Sequence, residues 1–233
     1  MLSLLVAASV SVSGCGYDGP SHVTGLAVEP DSQQLIYCEY FLPTEDNRTR
    51  VLYYTPSGHR FAEKDLFGAA SEDGAATSLP EVVQQDYRNG ERREVRKGED
   101  SWLLRYRKSA TASWKEARVP INGIDVIDAG FDDYVRKHWD ELVAGRQARF
   151  DFASPPHGRG IELRARRVDC HSGDQRSLCL RVDLAQPLLR FFAGDLDLVY
   201  DRATRRLQQF EGIVNVLDDR SSAQRLQIHY HYD

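Results

Sequence analysis

From residue 34 to the end of the chain, apolar and polar side chains alternate in short runs bounded by Gly, Pro, Asn, Asp and Ser, the pattern of strands with one buried face. Strands are predicted at 34–42, 48–55, 81–88, 91–97, 101–108, 113–119, 146–153, 160–169, 178–185, 195–201, 205–216 and 223–232. Asn89-Gly90 is the strongest hairpin signal, because both central positions of a type I′ turn need positive φ. So many short strands joined by short turns imply an antiparallel meander. Without a regular alternation of strands and long helices, a doubly wound parallel sheet is excluded.

One stretch changes period. Phe131, Tyr134, Val135, Trp139, Leu142 and Val143 recur at three-to-four spacing, with Asp132, Asp133, Arg136, Lys137, Asp140 and Glu141 on the other face, which predicts an amphipathic helix. Asp128 or Gly130 suits its start, the early aspartates complement the dipole, and Gly145 suits the left-handed residue beyond its end. The expected fold is mainly β: a large curved antiparallel sheet, a half-barrel, clasping one main amphipathic helix. Residues 186–193, with Phe191 and Phe192, are a candidate for a short second helix.

The amino-terminal segment carries a different signal. An apolar run from Leu2 to Val12, too short to span a bilayer, closes on Val12-Ser13-Gly14-Cys15. This resembles the lipobox of bacterial lipoproteins, whose cysteine sulfur receives a diacylglycerol, whose preceding peptide is removed, and whose new amino terminus is acylated. The resemblance implies lipidation at Cys15, and acyl chains worth about 0.8 kcal/mol per buried methylene would hold the protein on a membrane. The first charged residue is Asp18, where a secretory signal ordinarily opens with Lys or Arg. An ordinary signal peptide with a cysteine near its cleavage site is the alternative. The expected organisation is a signal peptide at 1–14, a lipidated tether at 15–33 rich in Gly, Pro, Ser and Asp, and a single β domain at 34–233.

Cysteine usage fits an oxidising compartment. With Cys15 lipidated, three thiols remain. Strands 160–169 and 178–185 place Cys170 and Cys179 on one face, and the register that opposes them also opposes Arg166 and Asp183, so a Cys170–Cys179 disulfide is expected. Cys38 is left over as a buried, inert thiol in an almost continuously apolar strand.

Net charge is −5, with 30 basic and 35 acidic side chains intermixed, which excludes a nucleic-acid binder. The basic clusters 92–97 and 164–167 read as solvated strand faces, with anionic head groups as the less favoured partner. Asp195-Leu196-Asp197-Leu198-Val199 fits the nucleophile pattern of the haloacid dehalogenase phosphatases, but too little chain follows it for a βα framework. His229 and His231 share one face of a terminal strand at metal-ligand spacing, and their ordinary reading is the solvent side of an amphipathic strand. HExxH, GxSxG, CxxC and phosphate-cradling glycine loops are all missing, so no catalytic residue, cofactor or metal is expected.

An exported chain with a many-stranded antiparallel sheet, a central helix and a closing run of strands around 198–207 resembles the superfamily of lipoprotein-localisation carriers and receptors of the Gram-negative envelope. The resemblance covers roughly residues 34–232, is architectural, and carries over no functional residue. It implies a half-barrel that holds acyl chains between sheet and helix. With Gly16 after the cysteine, it also implies an outer-membrane address facing the periplasm. Tyr134 and Trp139 are the candidate lining residues, with Phe191 and Phe192 at the rim. The alternative is a structural or protein-interaction lipoprotein of the envelope without a ligand cavity.

Overall fold

The computed structural model describes residues 14–43, 45–68, 77–170, 175–185 and 194–233. Phe191, Phe192 and the candidate helix at 186–193 lie outside the described residues.

Two meanders share one sheet. The first consists of β1 (Val23–Val28), β2 (Leu35–Phe41), β3 (Arg48–Tyr54), β4 (Arg60–Phe67), β5 (Glu81–Asp86), β6 (Arg92–Lys97), β7 (Ser101–Arg107) and β8 (Lys115–Pro120), each paired with its neighbour in sequence. The second consists of β9 (Ala148–Ser154), β10 (Arg159–Val168), β11 (Ser177–Leu184), β12 (Leu196–Asp201), β13 (Leu207–Ile213) and β14 (Arg225–Tyr232). Antiparallel pairing of β1 with β14, from Val23 opposite Tyr232 to Val28 opposite Gln227, joins them into an open 14-stranded sheet with β8 and β9 at its ends.

That sheet is coiled. Laid flat at about 4.8 Å per strand, its ends would stand about 60 Å apart. Yet a Cβ built on Gly158, in the turn between β9 and β10, would lie 3.0 Å from the Ala117 Cβ of β8. One on Gly160 would lie 2.6 Å from the Gly123 carbonyl, so a side chain there would push the two ends apart. The chain between the ends also patches the free edge of β9: Val126 pairs in parallel with Phe152, and the Ala153 amide donates to the Val126 carbonyl at 2.9 Å.

Two short helices fill the β8–β9 connection, α1 (Gly130–Lys137) and α2 (Trp139–Val143), where one was expected. They part at His138, whose backbone (φ −98°, ψ 16°) leaves the helical region, while Gly145 adopts the anticipated positive φ of 80°. Their apolar stripe lies on the second meander. Val135, Trp139 and Leu142 pack with Leu178, Leu180, Leu198 and Tyr200 in a buried hydrophobic cluster.

Two strands escape the pattern reading. β1 falls within the expected tether and instead occupies the middle of the sheet, and β4 was not expected at all. The turn at Asn89-Gly90 is also different. Only Gly90 has positive φ, the Asp86 amide bonds the Glu91 carbonyl across a four-residue loop, and the Asn89 side chain accepts from the Glu91 amide at 2.8 Å.

The cysteines pair as Cys15–Cys38 and Cys170–Cys179. The second bond is as expected, although the register is not: Arg164, not Arg166, stands opposite Asp183, and Val168 stands opposite Cys179. Arg166 still reaches Asp183 diagonally at 3.6 Å, and Cys170 reaches Cys179 from just beyond the end of β10. The first bond overturns the reading of Cys38 as a lone thiol. It also occupies the sulfur assigned to a diacylglycerol, since one sulfur cannot hold both a disulfide and a thioether. Cys15, Cys38 and Tyr40 form a small cluster of their own, with Tyr17, Leu26 and Tyr54 packed against it, and the residues leading into β1 are fastened there.

Candidate functional site

The concave face of the first meander is not uniformly apolar. Alternation along β2, β4, β5 and β6 turns Glu39, Lys64, Gln84 and Arg93 toward the same interior as Val51, Tyr53, Val82 and Val95. Gly25 clears a place for the first of these: a Cβ there would lie 2.6 Å from the Glu39 Cγ of the neighbouring strand. Burial raises the Glu39 carboxyl above its ordinary value, opposed by the Lys64 charge and a Tyr230 hydrogen bond.

These side chains form a connected network. Lys64 Nζ is 2.6 Å from Asp128 Oδ1, with the two side chains 7% and 15% exposed. Asn215 Nδ2 donates to Asp128 Oδ2 at 2.7 Å, and Gln84 Nε2 donates to the Asn215 carbonyl at 2.9 Å. Arg93 is held by Glu91 Oε1 at 2.7 Å, which positions its guanidinium beside Tyr106. Burial raises the Glu91 carboxyl, opposed by Arg93, and pushes the Tyr106 hydroxyl up to about 12, helped by the Glu91 charge. Gln84 Oε1 is buried without a hydrogen-bond partner.

Asp128 was one of the two residues, with Gly130, expected to suit the helix start. Its φ of 46° instead turns its carboxylate to Lys64 and Asn215, and Oδ1, which meets Lys64, also accepts from the adjacent Ala129 amide at 2.8 Å. The chain after β13 supplies the other side of the site. Val214, Val216 and Leu217 fold inward, and Arg88 ties the segment to the β5–β6 turn by donating to the Leu217 carbonyl at 2.7 Å and pairing with Asp219 at 2.9 Å.

Above this floor lies a cavity of about 730 Å³. Val82, Val95, Phe152 and Val214 supply apolar wall, Gln84, Arg93 and Asn215 supply the polar floor, and the exposed Lys108, Ile213 and Ala223 stand at the rim. A second cavity of about 530 Å³, beside the Cys170–Cys179 bond, is lined mostly by polar groups including Arg167 and Arg202.

The expected lining residues are elsewhere. Tyr134 is buried against Phe150, with ring centroids 4.8 Å apart, and donates its hydroxyl to the Arg149 carbonyl. Trp139 meets Tyr200 edge-on at 5.9 Å. Both belong to the packed core under the helices, and neither lines the cavity. His229 Nε2 lies 3.0 Å from Gln227 Oε1, and its pKa is lowered by burial and by the neighbouring His231. Among the described residues, no group of three or more His, Cys, Asp or Glu is arranged to hold a metal ion.

The basic clusters lie in ion pairs along the strands: Arg92 with Glu94, Arg96 with Glu81, and Arg164 with Asp183. Asp197, from the phosphatase-like pattern, pairs with Arg181 at 2.7 Å. No helix among the described residues is long and apolar enough to cross a membrane. No family model matches the chain, and no curated protein or solved structure matches it.

Proposed function

We propose that the protein is an exported binding protein of the bacterial envelope that holds a hydrophobic ligand, an acyl chain or lipid with a polar group, on the concave face of its sheet. The observation that carries this reading is the cavity of about 730 Å³, within the range of small-molecule sites, with apolar walls over a floor of Gln84, Arg93 and Asn215. An apolar body fits the walls and a polar end fits the floor. The pocket lies between the first meander, the segment after β13 and the end of β9 with the turn that follows it, away from the helices.

Two disulfides support an oxidising compartment. The open sheet with helices against its concave side is the architecture that the resemblance to lipoprotein-localisation carriers implies, and that resemblance supports an acyl ligand by analogy alone. An outer-membrane anchor through Cys15 is incompatible with the Cys15–Cys38 bond.

The test uses a fluorescent long-chain fatty acid as probe. The wild-type protein is expected to bind it at one site, and Ala223→Trp at the exposed rim is expected to weaken binding at least tenfold without lowering Tm. If the probe does not bind, or binds unchanged when the rim is blocked, the protein is instead a structural or interaction component of the envelope.

A further inference from the structure

The lipobox-like reading and the structure disagree about where the mature chain begins, and the surroundings of Cys15 decide between them. Cys15 is 1% exposed. Its backbone nitrogen donates to Tyr40 Oη at 2.7 Å, and its sulfur is bonded to Cys38. Were Cys15 the acylated first residue of a lipoprotein, its sulfur would carry the diacylglycerol in place of the bond to Cys38; were it a free first residue, its nitrogen would be an α-ammonium with three protons, buried beside a single neutral hydroxyl. An unpaired buried charge of this kind opposes folding, whereas a peptide N–H with one donor is satisfied by one acceptor.

One residue earlier the situation reverses. Gly14 is exposed, so water can solvate an ammonium there. Its own lack of a side chain is used, because a Cβ would lie 2.6 Å from Tyr40 Oη.

We infer that maturation cuts the Ser13–Gly14 peptide bond, so that Gly14 is the amino terminus and Cys15 is an internal, disulfide-bonded residue without lipid. Ser11 and Ser13 stand third and first before this bond, the small-residue pattern that a signal endopeptidase accepts. Water is the co-reactant: its hydroxyl goes to the Ser13 carbonyl carbon and its proton to the Gly14 nitrogen. The Cys15 and Cys38 thiols then give two electrons and two protons to a disulfide donor of the compartment. The inference is independent of any ligand in the cavity.

The experiment expresses the full chain in a bacterium and recovers the mature protein from the envelope for amino-terminal sequencing, intact mass and a non-reducing peptide map. The expected result is Gly14 as first residue, a mass without acyl groups, and a linked pair of Cys15 and Cys38 peptides. A first residue other than Gly14, an added diacylglycerol mass, or a free Cys15 thiol overturns it. Cys15→Ser gives a second reading that does not depend on folding. The cut site is expected to stay at Gly14, and accumulation of the uncut precursor would mean that processing requires a lipidated cysteine, which overturns the inference.

Discussion

The two halves of the concave face are filled in opposite ways. Over β9–β12, the helices lay Val135, Trp139 and Leu142 on Leu178, Leu180 and Leu198, and this contact is apolar throughout. Over β2–β6 no helix is present. The interior there holds Glu39, Lys64, Gln84 and Glu91, each at most 6% exposed, together with a cavity. Buried charges cost desolvation energy that an apolar core of the same shape does not, so the second filling is the less stable solution. The helix-covered half has its own buried acids, Asp133 and Asp183, but most of the buried polar side chains lie in the half that carries the cavity. This contrast is what associates the polar network with binding.

Substitutions should separate the two halves. Trp139→Ala is expected to have the largest effect, a loss of about 3–5 kcal/mol from truncating a large buried aromatic, with probe binding by the folded fraction unchanged. Chemical denaturation and titration measure the two quantities separately, and weaker binding in this variant would mean that the halves are coupled. Asp128→Ala comes next, at about 3 kcal/mol, because it strands the Lys64 ammonium and leaves Asn215 without its acceptor. The pair Lys64→Met with Asp128→Asn is expected to recover most of that loss while still weakening probe binding. If the double variant is no more stable than the single one, the cost does not come from an unpaired charge.

The same contrast explains what the sequence made legible. Strands of the apolar half, and the helix over them, announce themselves by period. β4 does not: Ala62, Lys64 and Leu66 face inward, so its inward row is interrupted by an ammonium that is paired with Asp128. β1 was hidden by Gly25 among other turn-forming residues, although that glycine is there to clear space for Glu39. Both missed strands therefore border the polar network, where local pattern and global fold conflict. The site itself was out of reach for a related reason. Asp128 and Asn215 lie far apart in sequence, and nothing local marks the positive φ that turns Asp128 away from the helix it precedes. Tyr134 and Trp139 were legible as apolar helix residues, but period alone does not distinguish a packed core from a cavity wall. The Cys170–Cys179 bond was readable from shared strand faces. The Cys15–Cys38 bond was hidden by a motif that gave Cys15 another fate.

Each half also has its own staple, which sharpens the comparison further. Cys15–Cys38, at a separation of 23, closes the longer loop, and in the chain-entropy model its loss costs about 3.4 kcal/mol, against about 2.7 kcal/mol for Cys170–Cys179. Cys38→Ala is therefore expected to lower Tm by about 7–14 °C for a chain of this size, slightly more than Cys170→Ala. It should also raise amide exchange in the residues leading into β1. The opposite order would mean that the residues around Cys15 are fixed by the Tyr17, Tyr40 and Tyr54 contacts alone.

The smallest effect, and the most diagnostic of the polar half, concerns Glu39. Its folded pKa lies above the ordinary 4.5, chiefly through burial, so the folded state binds the proton more tightly than the unfolded state. The ionised carboxylate consequently costs stability above the raised value. That cost is relieved as pH falls toward 4.5, and below both values the group contributes nothing further with pH. Glu39→Gln removes the charge but keeps shape and hydrogen-bonding capacity, so it should raise Tm at pH 8, with a gain that shrinks as pH is lowered through the same window. A gain independent of pH would mean that the variant acts through packing, and a loss at pH 8 would mean that attraction to Lys64 outweighs desolvation. Trp139→Phe, in the helix-covered half, supplies the control. Its Tm difference is expected to stay constant across that pH range, because the indole does not titrate.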